Sequence, residues 1–393
     1  DYIKGTVANS GSLNLSGGTL SKAVSGSGTT NITGNTTNNA GINQGVNINN
    51  GVTLTNNAAL GSDSGVVTNS GTINTSASNI KGAVTNNNTV NLSGGTLSKA
   101  ISGSGTTNIT GIVSSNSAIS QAISIASAGD LTISASNVGG NVTNAGDLIL
   151  NGGTLSKSVT GSGKTSITGA VTANSAISQA ISIAASGDLT ANAGNIGGAV
   201  TNAGDLILTG GTLSKVVSGS GKTTITGNTT NNSGINQGVN VNSGVTLTNN
   251  AALGSENGAI TNSGTITSNA GNIKGTVTNN NTLNLSGGTL SKAVSGSGTT
   301  TISANATNNG GISQNVNVSS GVTLTNNAAL GSDSGTITNA GTITSDASNI
   351  KGSVTNNNTL NLSGGTLSKV VSGSGTTNIT GDVTSNSAIS QAI

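Results

Sequence analysis

SGGTLSKAVSGSGTTNITG, running from Ser16 to Gly34, decides the architecture because the chain repeats it almost verbatim. The first glycine of each close copy stands at Gly17, Gly94, Gly152, Gly210, Gly287 and Gly364. Only two spacings occur: a long one, as from Gly17 to Gly94, and a short one, as from Gly94 to Gly152. The long exceeds the short by about 19 residues, as if one coil of a repeat stack had been removed. An ordinary surface loop can lose any number of residues. A coil in a stack must be lost whole, because any other deletion breaks the register of everything above it.

An aliphatic anchor recurs at that interval. It falls at Ile3, Leu20, Ile42, Leu60, Ile80 and Leu97 and continues to Ile389, at a mean interval of about 19 residues. Within one coil, Ile80, Val84, Val90 and Leu92 are the aliphatics, and Val90 and Leu92 alternate with polar neighbours as a strand with one inward face does. Lys81-Gly82, Thr85–Asn88 and Ser93-Gly94-Gly95 interrupt the pattern and read as corners. The expected fold is therefore all-β: a single-stack parallel β-helix (β-solenoid), three-sided, with about 19 residues per coil and about 20 coils. Residues 1–393 are expected to form one continuous solenoid with repeat units at about 17–93, 94–151, 152–209, 210–286, 287–363 and a partial 364–393. Three of the four coil types carry Gly or Asn four residues after the second aliphatic, as at Gly11, Gly28, Gly71, Asn88, Gly105, Gly146, Gly163, Asn281 and Asn358. These residue types predict a left-handed backbone position at each such corner. The fourth coil type has Gly51 one place later, so its corner differs.

Composition removes whole classes of chemistry. The chain has no His, Cys, Met, Trp, Phe, Pro or Arg, its only aromatic is Tyr2, and its net charge is +2. Without His or Cys, the commonest general base, metal ligand and thiolate nucleophile are absent. Lacking Arg and aromatic platforms, the chain has none of the usual means of gripping phosphates and stacking bases, so nucleic acid is not an expected partner. No stretch has the run of about 20 apolar residues that a membrane span needs. Gly-Ser-Gly segments such as Gly26–Gly28 lack the strand–loop–helix context of a phosphate loop and read as corners. The expectation is a non-enzymatic protein with no cofactor.

Stacking brings distant side chains into columns. Five residues after the second aliphatic, the long units carry Thr72-Thr89-Thr106, Thr265-Thr282-Thr299 and Thr342-Thr359-Thr376, while the short units carry Asp130-Asp147-Lys164 and Asp188-Asp205-Lys222. All these steps are equal in length, which predicts Asp147 beside Lys164 and Asp205 beside Lys222. A small-cation site and an exposed salt ladder are the two readings. The ladder is favoured, because two carboxylates beside an ammonium make a poor calcium cage, which takes six to eight oxygens. Lys22, Lys99, Lys157, Lys215, Lys292 and Lys369 follow an anchor by two residues and are expected as sparse basic spots along one edge. Outward Thr and Asn raise ice binding as a minor reading. Pairs that vary along the chain, such as Thr72 with Asn74 and Asn91 with Ser93, weigh against it.

Val67-Thr-Asn-Ser-Gly-Thr-Ile73 and Ile260-Thr-Asn-Ser-Gly-Thr-Ile266 resemble the repeats of β-helical passenger and stalk regions from bacterial autotransporters and large secreted adhesins, and the resemblance covers essentially the whole chain. It implies secretion, a right-handed parallel β-helix, and display at the bacterial cell surface. The period also resembles that of curli-type amyloid subunits, but Gln is confined to the fourth coil type (Gln44, Gln121, Gln179). The functional expectation is a structural or adhesive extracellular rod. Its expected partners are itself, by end-to-end or lateral assembly, or host or cell-surface glycans and proteins. Both ends of the sequence fall within a repeat, as expected either of an excerpt from a longer chain or of a subunit that polymerises through open ends. The first functional alternative is accordingly a self-assembling filament or sheath subunit; the second is a glycan- or ice-binding solenoid.

Overall fold

The computed structural model describes residues 3–393 of the chain, leaving Asp1 and Tyr2 outside the description. Short strands follow one another from Val7 to Ser385, and the only helical turns among the described residues are 3-10 turns such as Ala77–Asn79. Three strands complete a coil. After Val84–Asn86, Thr89–Leu92 and Gly95–Leu97, the chain returns so that Ile101 lies in parallel register on Val84. The protein is thus an all-β solenoid of stacked parallel coils with three sides, and it makes about 22 turns.

Two compact units share the chain: one comprises the residues up to Thr190 together with Asn195–Ala199, and the other comprises Ala191–Gly194 and Val200–Ile393. In the first, ten pairing steps lead from Gly18 to Ile196, and in the second ten steps lead from Gly211 to Ile389. Both give a coil of about 18 residues. The coil is shorter than the anchor period by more than one residue, and the turns are correspondingly more numerous. The cause is an offset between repeat and coil. Leu20 pairs upward through Asn38, Asn56 and Thr75 to Leu92, four coils on, yet its repeat equivalent, Leu97, lies in the next strand, on the next side. The long unit is therefore four and one-third coils. Leu97 likewise climbs three steps, through Ser115 and Ile133, to Leu150, and its equivalent Leu155 is again one side further. The short unit is three and one-third coils, so the two still differ by one whole coil.

Inward residues alternate with outward ones, and most are fully buried aliphatics such as Leu54, Ile73, Val90 and Leu92. The interior also holds asparagine. The Val-Thr-Asn segment at Val84–Asn86 is a strand, with Asn86 pointing inward at 0% exposure, so this corner begins later than the sequence suggests. The Asn69 amide donates to the Asn86 carbonyl oxygen at 2.7 Å and to the backbone carbonyls of Gly71 and Thr89, and its own Oδ1 accepts from the Gly71 amide at 3.1 Å. A buried amide is tolerated only when its polar atoms find partners, and here it closes the corner of its own coil and ties it to the next. Gln121 donates to Thr107 at 2.7 Å in the same interior.

The glycine corners work differently from expectation. No non-glycine among the described residues has positive φ, and neither do Gly28, Gly71, Gly105, Gly146 or Gly163. What excludes a side chain at these glycines is proximity. A Cβ on Gly71 would lie 2.2 Å from the Val52 carbonyl oxygen, and one on Gly105 would lie 2.3 Å from that of Asn88. Left-handed backbone occurs instead at the Gly17-Gly18 pair and its copies, at the first glycine of each Ser-Gly-Ser-Gly run, and at Gly51, whose φ of 74° bears out its separate corner type. Alanine substitutions distinguish the two effects. Gly51→Ala meets nothing within 4 Å and should cost only the left-handed penalty of about 1–2 kcal/mol. Gly71→Ala must push two coils apart and should cost more, measured as a larger fall in thermal midpoint and faster amide exchange in the coils flanking Gly71.

Candidate functional site

The residue columns read from the sequence form where a single unit contains them. Thr72, Thr89 and Thr106 are register partners, as are Thr265, Thr282 and Thr299, and Thr342, Thr359 and Thr376. In the first unit Asp130 pairs with Asp147, and Asp147 with Lys164, whose Nζ lies 3.8 Å from the Asp147 carboxylate. In the second unit Asp205 pairs with Lys222 at 3.9 Å. Asp188 belongs to the first unit and Asp205 to the second. Both ion pairs are roughly half exposed, so solvent screens them and they contribute little. An open depression lined by Asp130, Asp147, Lys164 and the corner glycines Gly146 and Gly163 marks the first column. Among the described residues no group of three or more His, Cys, Asp or Glu side chains is placed to hold a metal ion.

Three further ion pairs span two coils. Lys99 reaches Asp63 at 2.5 Å, Lys369 reaches Asp333 at 2.8 Å and Lys292 reaches Glu256 at 3.7 Å, each lysine standing 36 positions after its acid. The acids sit on protruding loops closed by mutual backbone bonds, Ser62 with Gly65 and Ser255 with Gly258. The anchor period, being longer than the coil, puts partners two coils apart at a greater interval than this and hides the pairs. The signal was present in Gly61-Ser-Asp-Ser-Gly65 and its copies, which occur only in long units. The hydrogen bond and then the charge of Lys99 hold the Asp63 carboxyl below the ordinary carboxylate range; Lys369, followed by Lys351 at longer range, does the same for Asp333.

The lysines do not share one edge. Lys22 follows Leu20, Lys99 follows Leu97 and Lys157 follows Leu155, and these three anchors occupy successive sides because each repeat advances by a third of a turn. A continuous basic stripe is thereby excluded within this unit. Amide ladders occupy other outward positions: Asn91 donates to Asn74 at 2.7 Å, and Asn108 to Asn91 at 2.8 Å. No helix among the described residues is long and apolar enough to cross a membrane. No protein-family model, no curated protein and no solved structure matches this chain.

Two measurements follow from the charges. Lys164→Ala leaves Asp130 and Asp147 as like charges one strand apart; the expected loss is about 0.2–1 kcal/mol at low salt, before the screening that half-exposed groups experience. The difference in thermal midpoint from wild type should shrink at high salt. Carboxyl NMR titration should place Asp63 and Asp333 below the usual range, with Lys99→Ala returning Asp63 to it. Because the folded pKa is the lower one, any stability these pairs contribute is complete above the unfolded carboxylate pKa and disappears as pH falls through the depressed value.

Proposed function

We propose that this chain is a structural and adhesive segment of a secreted or surface-displayed bacterial repeat protein, working by holding a shape and presenting its sides, with no catalytic role. The observation that carries this reading is where the specialised side chains are used. Asp147 forms an ion pair with Lys164, Asp63 bonds to Lys99, Asn74 to Asn91 and Asn69 to Asn86, and each of these contacts joins one coil to another. Charges and amides that an enzyme would gather around one cleft are here distributed along the stack as ties. A chain with 6% charged residues and no cysteine also suits passage through an envelope and folding outside without disulfides. The likeness of Val67–Ile73 to passenger-domain repeats points the same way.

Antibody raised against the purified chain tests the location on intact producing cells. Labelling without permeabilisation, together with release of fragments by external protease, is the expected result. Labelling only after permeabilisation overturns the reading. Adhesion is tested in parallel by comparing attachment of producing cells with that of a deletion strain, where equal attachment removes the adhesive part and leaves the structural one.

A further inference from the structure

One side of the second unit assembles two parallel outward ranks from successive coils. Thr246, Thr265, Thr282 and Thr299 stand in register in one rank, and Thr248, Thr267, Asn284 and Thr301 in the other. The second rank also extends downward to Thr230 and upward through further coils to Thr355. Neither rank contains a charged residue. Beneath them Leu247, Ile266, Leu283 and Thr300 are buried, so the strands are anchored from inside. The side chains of Thr246, Thr248, Thr265, Thr299 and Thr301 make no hydrogen bond to another described residue, which leaves their hydroxyls facing outward. Along the chain the outward pairs vary, which weighed against ice binding in the sequence. Across this side they converge, because successive coils of the long unit hold their outward Thr-x-Thr pairs in register on one sheet.

The partner such a surface fits is narrowly defined. It must be neutral, because neither rank offers a charge. It must be extended and regular, because the ranks repeat about every 4.8 Å between coils and about 6.7 Å within a strand, with no enclosing walls. It must not require ring stacking: the chain has one Tyr and no Phe or Trp, so flat sugar faces have no aromatic platform. A crystalline lattice of water meets all three conditions. Thr246, Thr248, Thr265, Thr299 and Thr301 each offer it a hydroxyl that donates and accepts, while Thr267 accepts from the Asn284 amide and Thr282 donates to Asn281; every threonine adds a methyl group that restricts the orientation of neighbouring water. We propose that this side of the second unit, centred on Thr265, Thr267, Thr299 and Thr301, binds the surface of ice.

The full chain, fluorescently labelled, is allowed to partition during slow growth of an ice mass, and thermal hysteresis is measured beside it. Wild type is expected to enter the ice and to separate melting from freezing. Thr267→Lys with Thr301→Lys should reduce partition by at least about tenfold, equivalent to about 1.4 kcal/mol. Thr278→Lys, outward on a neighbouring side in register with Thr261 and Ser295, should leave it unchanged. Circular dichroism melts establish that each variant retains the solenoid. Exclusion of wild type from ice overturns the proposal, as does adsorption to crystalline cellulose or chitin in place of ice. Retained binding in the double variant, or an equal loss in Thr278→Lys, overturns its location.

Discussion

Each coil must lie within backbone hydrogen-bonding distance of the coil below it on all three sides, and the rest of the structure depends on that closeness. Strands about 4.8 Å apart leave little room where the chain turns a corner. At Gly71, Gly105 and Gly146 the carbonyl of the coil below comes closer to where a Cβ would sit than van der Waals contact allows, and the side chain is omitted. The same closeness makes the buried asparagines useful. Asn69 and Asn86 are one coil apart, near enough for one amide to bond the next while each still closes its own corner. A polar residue inside a small core is ordinarily a liability; in a stack its partner is supplied by the next copy of itself.

Much of this was legible in the sequence. The whole-coil deletion and the stacking of Asp147 with Lys164 follow from residue spacing, because a column in a parallel stack needs only equal intervals, and the three sides follow from the three corners within a coil. What remained hidden has one physical source. Counting anchors assumes that every anchor occupies the same side, whereas Leu20 and Leu97 do not. The assumption makes the coil look longer than it is. It also places the lysines on one edge and puts Asp63 and Lys99 out of phase. Asn86 escaped for a different reason. Val-Thr-Asn has the period of a strand, but Asn is so common in turns that its inward position is not apparent until its bonds are seen.

Where the acid-loop coil is missing, charge reappears elsewhere. Long units carry Asp63, Glu256 and Asp333 on loops with a lysine two coils above each. Short units lack that loop and carry their acids within strands, beside Lys164 and Lys222. Lys157 and Lys215, each in the unit that follows a short one, persist although the loop acid that pairs with their counterparts is gone. The exchange keeps oppositely charged groups within a coil or two of one another in both kinds of unit. In a chain with so few charges, that arrangement prevents any side from becoming a strong field of one sign.

The advance of a third of a turn also changes how function can be sought in such a chain. A repeat aligned with its copies shows which residues recur, but a partner approaching from outside meets one side, and a side is composed of different parts of successive repeats. In the second unit Thr246 and Thr248 come from a coil that contains an Asn-rich corner. Thr265 and Thr267 come from the coil that follows the acidic loop, and Thr299 and Thr301 from the one that carries Ser-Gly-Ser-Gly. Equal spacing along the chain already lines up Thr265 with Thr299 through Thr282; the hydrogen-bond register adds Thr246 and the parallel rank of Thr248, Thr267 and Thr301. Features spread by the offset, such as the lysines after Leu20, Leu97 and Leu155, are diluted over three sides. Features present in several coil types at once, as outward threonine is, accumulate on one side. Selection acting on a surface of this kind must therefore act on the side and not on the repeat.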